Sequence, residues 1–325
     1  MSISFLRKIG KRREIGVFCG LIIMIVFFSI ITPKFTRMVN ILNIVRQVSL
    51  TGILSMGMSL VILLGEIDLS AGAVYFMSGV TCALLVTNGV PFIPAILISL
   101  LVGMLLGAAN GLLVAKVGLP SFIATLGMTN VARGLGQTIS GGIVISLTAN
   151  SVKTSGLDIF TFFGVGKLLD VFPMLAICFA ALAVITYFLV HKTVFGFRLK
   201  AVGGNANASK VVGVNIDKIK VIVFLFEGLM AAAAGVLGLA WLGSVQGTTG
   251  DGMELDAIAA VIIGGTSTTG GEGSIVGTVI GVLIMGVLKN GLVLLGVTSF
   301  VQTIVVGLVV IGSVAFDIIT TKRKR

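Results

Sequence analysis

Apolar residues along this chain run in long blocks rather than alternating with polar ones. Ten such blocks can be drawn, at about 15–32, 46–64, 70–87, 92–115, 121–139, 171–190, 219–243, 254–264, 273–295 and 299–318. Most have the roughly 17–25 residues that a helix needs to cross a ~30 Å hydrocarbon core. The block at 254–264 is short and reads as a broken or half-buried helix. The expected fold class is therefore all-α, a polytopic membrane helix bundle of about ten transmembrane helices. A single membrane domain covers 15–318, between a basic N-terminus at 1–14 and a basic tail at 319–325. Two loops are long enough to have structure of their own, at about 140–170 and 191–218.

Composition agrees with the pattern. Of 325 residues, 56% are hydrophobic and only 11% charged, whereas a soluble domain has about a quarter of its residues charged. Glycine is abundant, at 44 residues, as expected where helices approach one another closely in lipid. Gly103, Gly107 and Gly111 are spaced by four, as are Gly273, Gly277 and Gly281, and both sets predict tight helix contacts.

The net charge of +11 raises the question of nucleic acid. The basic residues lie at the two ends and in the 191–218 loop, without aromatic interleaving, so no nucleic-acid partner is expected. They follow the positive-inside rule instead. Arg7, Lys8, Lys11, Arg12, Arg13, Lys116, six residues of the 191–220 stretch and the four residues 322–325 fall on one side. Lys34, Arg37, Arg46, Lys153 and Lys167 fall on the other. This places both termini in the cytoplasm, with the first apolar block retained as a helix rather than cleaved as a signal peptide.

Catalytic chemistry is not evident. His191 is the only histidine, and Cys19, Cys82 and Cys178 have no paired spacing, so no metal, cofactor or disulfide framework is expected. The Gly264–Ser274 stretch lacks the Lys-Ser/Thr of a phosphate loop, so any ATPase would be a separate subunit. Asp68 and Asp256 alone give no support to an intramembrane protease.

Three stretches carry candidate function. In the fifth block Thr125, Thr129, Asn130, Arg133 and Gln137 share one helix face. A lipid-facing arginine is costly, so this face points into protein or water, either as a solute path or as an interhelical network. In Gly65–Ser70, Asp68 and Ser70 read as helix caps or as a conformational element. Ile67–Leu69 has a faint echo in Glu254–Asp256, and Asp256 takes the matching role if the two halves form an inverted repeat. In the 191–218 loop, Gly203 and Gly204 predict a turn, Asn205 an N-cap, Ala206–Val212 a short helix and Gly213 its stop.

The segments GEIDLSAG, PSFIATLGMTNVARGL, KTVFGFRLKAVGGNANASKVVGVNIDKIK, ELDAIAAVIIGGTSTTGGEGSIVGT and GVLKNGLVLLGV occur in an order that resembles the permease subunits of bacterial monosaccharide ABC importers, the ribose/xylose/arabinose type. The likeness runs from about Asn40 to Asp317. It implies a helical bundle in the bacterial inner membrane, in contact with lipid and paired with a second permease copy or a paralogue. It further implies a cytoplasmic ATPase coupled through Gly203, Gly204, Asn205, Ala208, Lys210 and Gly213, and an extracytoplasmic sugar-binding protein. Glu66 stands where the family tends to have glycine, and Lys289 where asparagine is more usual. A permease for branched-chain amino acids or nucleosides, or a stand-alone secondary carrier, is the alternative.

Overall fold

The computed structural model describes residues 13–148, 151–152 and 156–322. Arg7, Lys8, Lys11, Arg12, Lys153 and residues 323–325, which weigh in the charge asymmetry, lie outside the described residues. Among the described residues thirteen α-helices follow one another, accompanied by four two-residue strands. They are α1 (Arg13–Ile31), α2 (Met38–Leu63), α3 (Ala71–Thr87), α4 (Phe92–Leu112, extended by a π turn, Leu113–Val117), α5 (Ser121–Ser140), α6 (Leu157–Val165), α7 (Met174–Lys192), α8 (Val194–Gly204), α9 (Ala206–Val211), α10 (Ile216–Leu242), α11 (Met253–Ile263), α12 (Ile275–Leu294) and α13 (Ser299–Lys322).

Seven of these are long and apolar enough to cross a membrane. They are α1, α2, α4 with its π turn, α7, α10, α12 and α13. Three expected spans are missing from that set. Helix α3 has 17 residues, α11 has 11, and the polar face of α5 lowers its hydropathy. The chain is thus an all-α membrane bundle, in which seven helices among the described residues have the length and apolarity of a full crossing.

Proline sets several boundaries. Pro91, Pro120 and Pro173 immediately precede α4, α5 and α7, where a fixed φ and a missing N–H cost nothing. Glycine sets others. Gly118 and Gly243 adopt positive φ directly after the π turn and α10, and Gly65 does so one residue past the Leu64 cap of α2, a conformation that penalises a Cβ.

The core lies along α2 and α10, which pack on each other and carry the longest buried stretches. Around this pair the packing repeats. Helix α3 packs on α4 and α5 as α11 packs on α12 and α13, and α10 packs on α3 and α4 as α2 packs on α11 and α12. The break after α2 (64–70) and the break after α10 (243–252) lie at opposite ends of the bundle. This is the packing pattern that an inverted repeat gives, and Ile67–Leu69 and Glu254–Asp256 stand at corresponding places in it, before or at the start of α3 and α11.

The small-residue faces close the crossings as expected. A Cβ at Gly103 or Gly107 would collide with the Gly228 and Phe224 backbone of α10, and one at Gly281 with the Ala260 carbonyl of α11. The three cysteines differ in environment: Cys82 is buried, Cys178 partly so, and Cys19 is exposed on α1.

At one end of the bundle the segment between α11 and α12 meets α2 and α8 on one side and the outermost helices α1 and α13 on the other. Gly271 donates its N–H to the Leu63 carbonyl at 2.8 Å, and Gly203 abuts both. Ser274 donates to Glu14 at 2.5 Å, and the Thr268 N–H to Asp317 at 2.9 Å. At the opposite end β1 (Ile145–Ser146) pairs antiparallel with β4 (Ser244–Val245), and β2 (Lys167–Leu168) with β3 (Phe172–Pro173).

Candidate functional site

The polar face of α5 is divided between two backbone breaks. In its first turns the Ser121 hydroxyl accepts the Ile67 N–H at 3.2 Å, and Thr125 accepts the Leu69 N–H at 3.0 Å. Thr129 donates to the Leu69 carbonyl at 2.9 Å. These groups satisfy the open backbone of the first break, which has no helical partner of its own. Inside that break the Asp68 carboxylate accepts the Ser70 N–H at 2.7 Å and its hydroxyl at 2.6 Å, in an Asx turn that starts α3.

Higher on α5, Arg133 donates to the carbonyls of Gly247 at 2.9 Å and Thr249 at 3.2 Å. It pairs with Asp251 and lies 5.5 Å above the Phe76 ring. Gln137 is exposed and lies against Gly247. Asn130 is exposed and bonds back to the Leu126 carbonyl. The shared helix face is therefore real, but Thr125 and Thr129 brace one break, Arg133 holds the other, and Asn130 points elsewhere.

The break that Arg133 holds forms one wall of a cavity of about 340 Å³. Gln47 and Thr51 of α2, Tyr75 of α3, Trp241 of α10, Gln246, Thr249 and Asp251 of the break, Asp256 of α11 and Lys289 of α12 line it. It lies toward the end of the bundle opposite the α8–α9 loop. Lys289 pairs with the buried Asp256, as Arg133 pairs with Asp251. Each carboxylate of the lining thus has its own cation, leaving amides, hydroxyls and aromatic faces without net charge. None of the five α5 residues lines the cavity, whereas Asp256 does. Lys289, a lone cation within an apolar block, is the sequence signal that points to it; Trp241, Tyr75, Gln47 and Thr51 carry none.

At the other end three N-caps in succession shape the loop. Thr193 accepts the Gly196 N–H at 3.2 Å, Asn205 that of Ala208 at 2.9 Å and Asn215 that of Lys218 at 2.9 Å. Gly213 follows α9 with φ +82°. Gly203 and Gly204 are the last residues of α8 rather than a free turn. Gly203 is the inner seat, and Gly204, Asn205, Ala208, Lys210 and Gly213 are exposed. Burial on α8 holds the Lys200 ammonium below the usual lysine range. Beside these residues Val211 and Val212 stand 87% and 77% exposed, an apolar tip on a basic loop.

Comparison with known proteins places these features in context. The family described as branched-chain amino acid transport system/permease component matches residues 40–314. A ribose import permease protein of Bacillus subtilis is 43% identical over 95% of this chain and 94% of its own length. The ribose import permease protein of Escherichia coli K12 is 40% identical over 92% and 91%. A D-allose transport system permease protein of the same organism is 38% identical over 94% and 92%. No solved structure matches the chain.

Proposed function

The chain belongs to this permease family, as a sugar ABC importer subunit and not an enzyme, and we propose that its cavity passes a monosaccharide by alternating access. The observation that carries the reading is the charge-compensated lining. A neutral polyol needs hydrogen-bonding groups and an aromatic face, here Trp241 and Tyr75, in a pocket of the right scale. An amino acid zwitterion would need an unpaired cation and an unpaired carboxylate, whereas here Asp251 is paired with Arg133 from behind the wall and Asp256 with Lys289.

In this reading α3, α5 and α11 complete ten crossing elements, and both termini are cytoplasmic with the α8–α9 loop. The protein lies in the bacterial inner membrane with lipid around it and a second permease copy or paralogue beside it. The family implies a cytoplasmic ATPase subunit and an extracytoplasmic sugar-binding protein. The ATPase seats on Asn205, Ala208, Lys210, Gly213 and the Val211–Val212 tip. Gly203 touches the ends of both repeats, at Leu63 and Gly271, so one displacement of α8 reaches both halves of the bundle. Each partner shifts the inward–outward balance by its differential affinity for the two states.

The test is radiolabelled sugar uptake into proteoliposomes holding the permease, its ATPase and its binding protein. Uptake of a ribose-like sugar that requires both partners and ATP is the expected result. Uptake by the permease alone, driven by a proton or sodium gradient, would overturn the reading. In the same assay Trp241→Ala should raise the sugar concentration for half-maximal uptake. Arg133→Met removes two carbonyl hydrogen bonds and an ion pair from the cavity wall. Each charged hydrogen bond contributes roughly 1.5–3 kcal/mol, so uptake should fall by about tenfold or more. Arg133→Lys should recover only part of it, because an ammonium cannot reproduce the guanidinium fork.

A further inference from the structure

Glu227 lies in the middle of α10, is 0% exposed, and neither of its carboxylate oxygens has a hydrogen-bond partner. The space it occupies is made by Gly57 of α2, where a Cβ would overlap Glu227 Oε2. A second orphan lies on α4. Asn110 is also 0% exposed, and its amide nitrogen donates to the Ser70 hydroxyl at 2.8 Å. That bond leaves Asn110 Oδ1 without a partner. Ser70 in turn donates to Asp68, which is 2% exposed and acts electrostatically on Glu227.

These groups share the buried seam where α2, α4 and the start of α3 meet α10, with Gly57 of α2 against Glu227 and Gly107 and Gly111 of α4 against Phe224 and Val221, and no cation among the described residues pairs with Glu227. Lys220 is paired with Glu66, Lys116 with Asp217, and Lys289 with Asp256. On the other elements packed against α10, Arg46 donates to the Val165 carbonyl at the far end, while Arg198 and Lys200 belong to α8 at the loop end. An unpaired carboxylate in a dry core costs several kcal/mol unless something neutralises it. The donors are all oxygen, which suits a hard cation and not a soft one. Asp68 already has two hydrogen bonds, so one positive charge on Glu227 completes the seam.

We propose that this seam is a monovalent-cation site, in which Glu227, Asn110 Oδ1 and Asp68 take up an alkali ion or a proton. The site lies on α10 where Gly57 of α2 makes room for the Glu227 side chain and where, on α4, Gly103 and Gly107 bring the backbone close to Gly228. Occupancy therefore bears on how α2 and α4 pack against α10.

Thermal unfolding of the purified full chain in detergent tests this without reference to uptake, so its failure would leave the importer reading standing. The midpoint is measured in NaCl, KCl and choline chloride at equal ionic strength, and from pH 8 to pH 5.5. A cation that binds only the folded chain stabilises it. The wild-type midpoint should rise by at least about 2–4 °C, either with an alkali ion or on acidification. An alkali response identifies a metal ion and an acid response a proton. Glu227→Gln keeps the shape and removes the charge. It should abolish the response and, in choline at pH 8, melt above the wild type. Asn110→Leu provides the independent check and should at least halve the response. A wild-type midpoint indifferent to both variables, or variants that respond as the wild type does, would overturn the proposal.

Discussion

Lys289→Met should cost the fold on the order of 3–5 kcal/mol, the usual penalty for removing one partner of a buried ion pair. It should also remove most of the sugar uptake. The reason is Asp256, whose side chain is only 7% exposed against 28% for Lys289. One Asp256 oxygen already lacks a partner, so losing the ammonium strands a whole carboxylate in the cavity wall. Asp256→Asn should be milder, because the released lysine can turn toward the cavity. The double variant Lys289→Met/Asp256→Asn separates structure from transport. If the pair serves only to neutralise the wall, both unfolding midpoint and uptake return toward wild type. If the charges act on the passing solute, stability returns and uptake does not. A single variant Lys289→Met that melts with the wild type would show that the pair does not hold the wall.

That pair also shows what a linear reading can and cannot reach. The apolar blocks locate the helices because their lengths reflect a fixed membrane thickness, and Pro91, Pro120 and Pro173 mark three helix starts through backbone geometry alone. Helix α2, however, begins at Met38 rather than 46, since Asn40, Asn43 and Arg46 lie on it without ending it. Helix α8 is hidden in what reads as loop, because its 11 residues are amphipathic at best and end in two glycines.

The face shared by Thr125, Thr129 and Arg133 is legible as a period. Its partners are backbone groups of breaks 60 and 114 residues away, and nothing local announces them. The cavity draws on α2, α3, α10, α11 and α12, so it exists only once these distant segments have packed together. Two charges that stand alone in the linear sequence turn out to be compensated. Glu66 pairs with Lys220, 154 residues on, and Lys289 pairs with Asp256. Each is a long-range charge match, visible in the sequence only as an isolated anomaly.

Val211→Asp combined with Val212→Asp should uncouple the importer while leaving the permease itself intact. Both valines project from the end of α9 with most of their surface free, so within the chain they contribute little. Exposed substitutions of this kind stay within about 0.5 kcal/mol, and the unfolding midpoint of the isolated permease should stay within about 2 °C of the wild type. In a partner's cleft the same two side chains would form the dry centre of the interface, surrounded by Asn205, Ala208, Lys210 and Gly213. Disrupting a central anchor of that kind costs about 2 kcal/mol or more, which is roughly 30-fold in affinity. The ATPase should therefore fail to co-purify, and ATP-driven uptake should fall to background. Lys210→Ala, at the polar rim, should slow association and alter its salt dependence without abolishing either activity. Retention of the ATPase by the double variant would move the docking surface away from α9, toward Phe197 and Val194 on α8, the other exposed apolar residues of the loop.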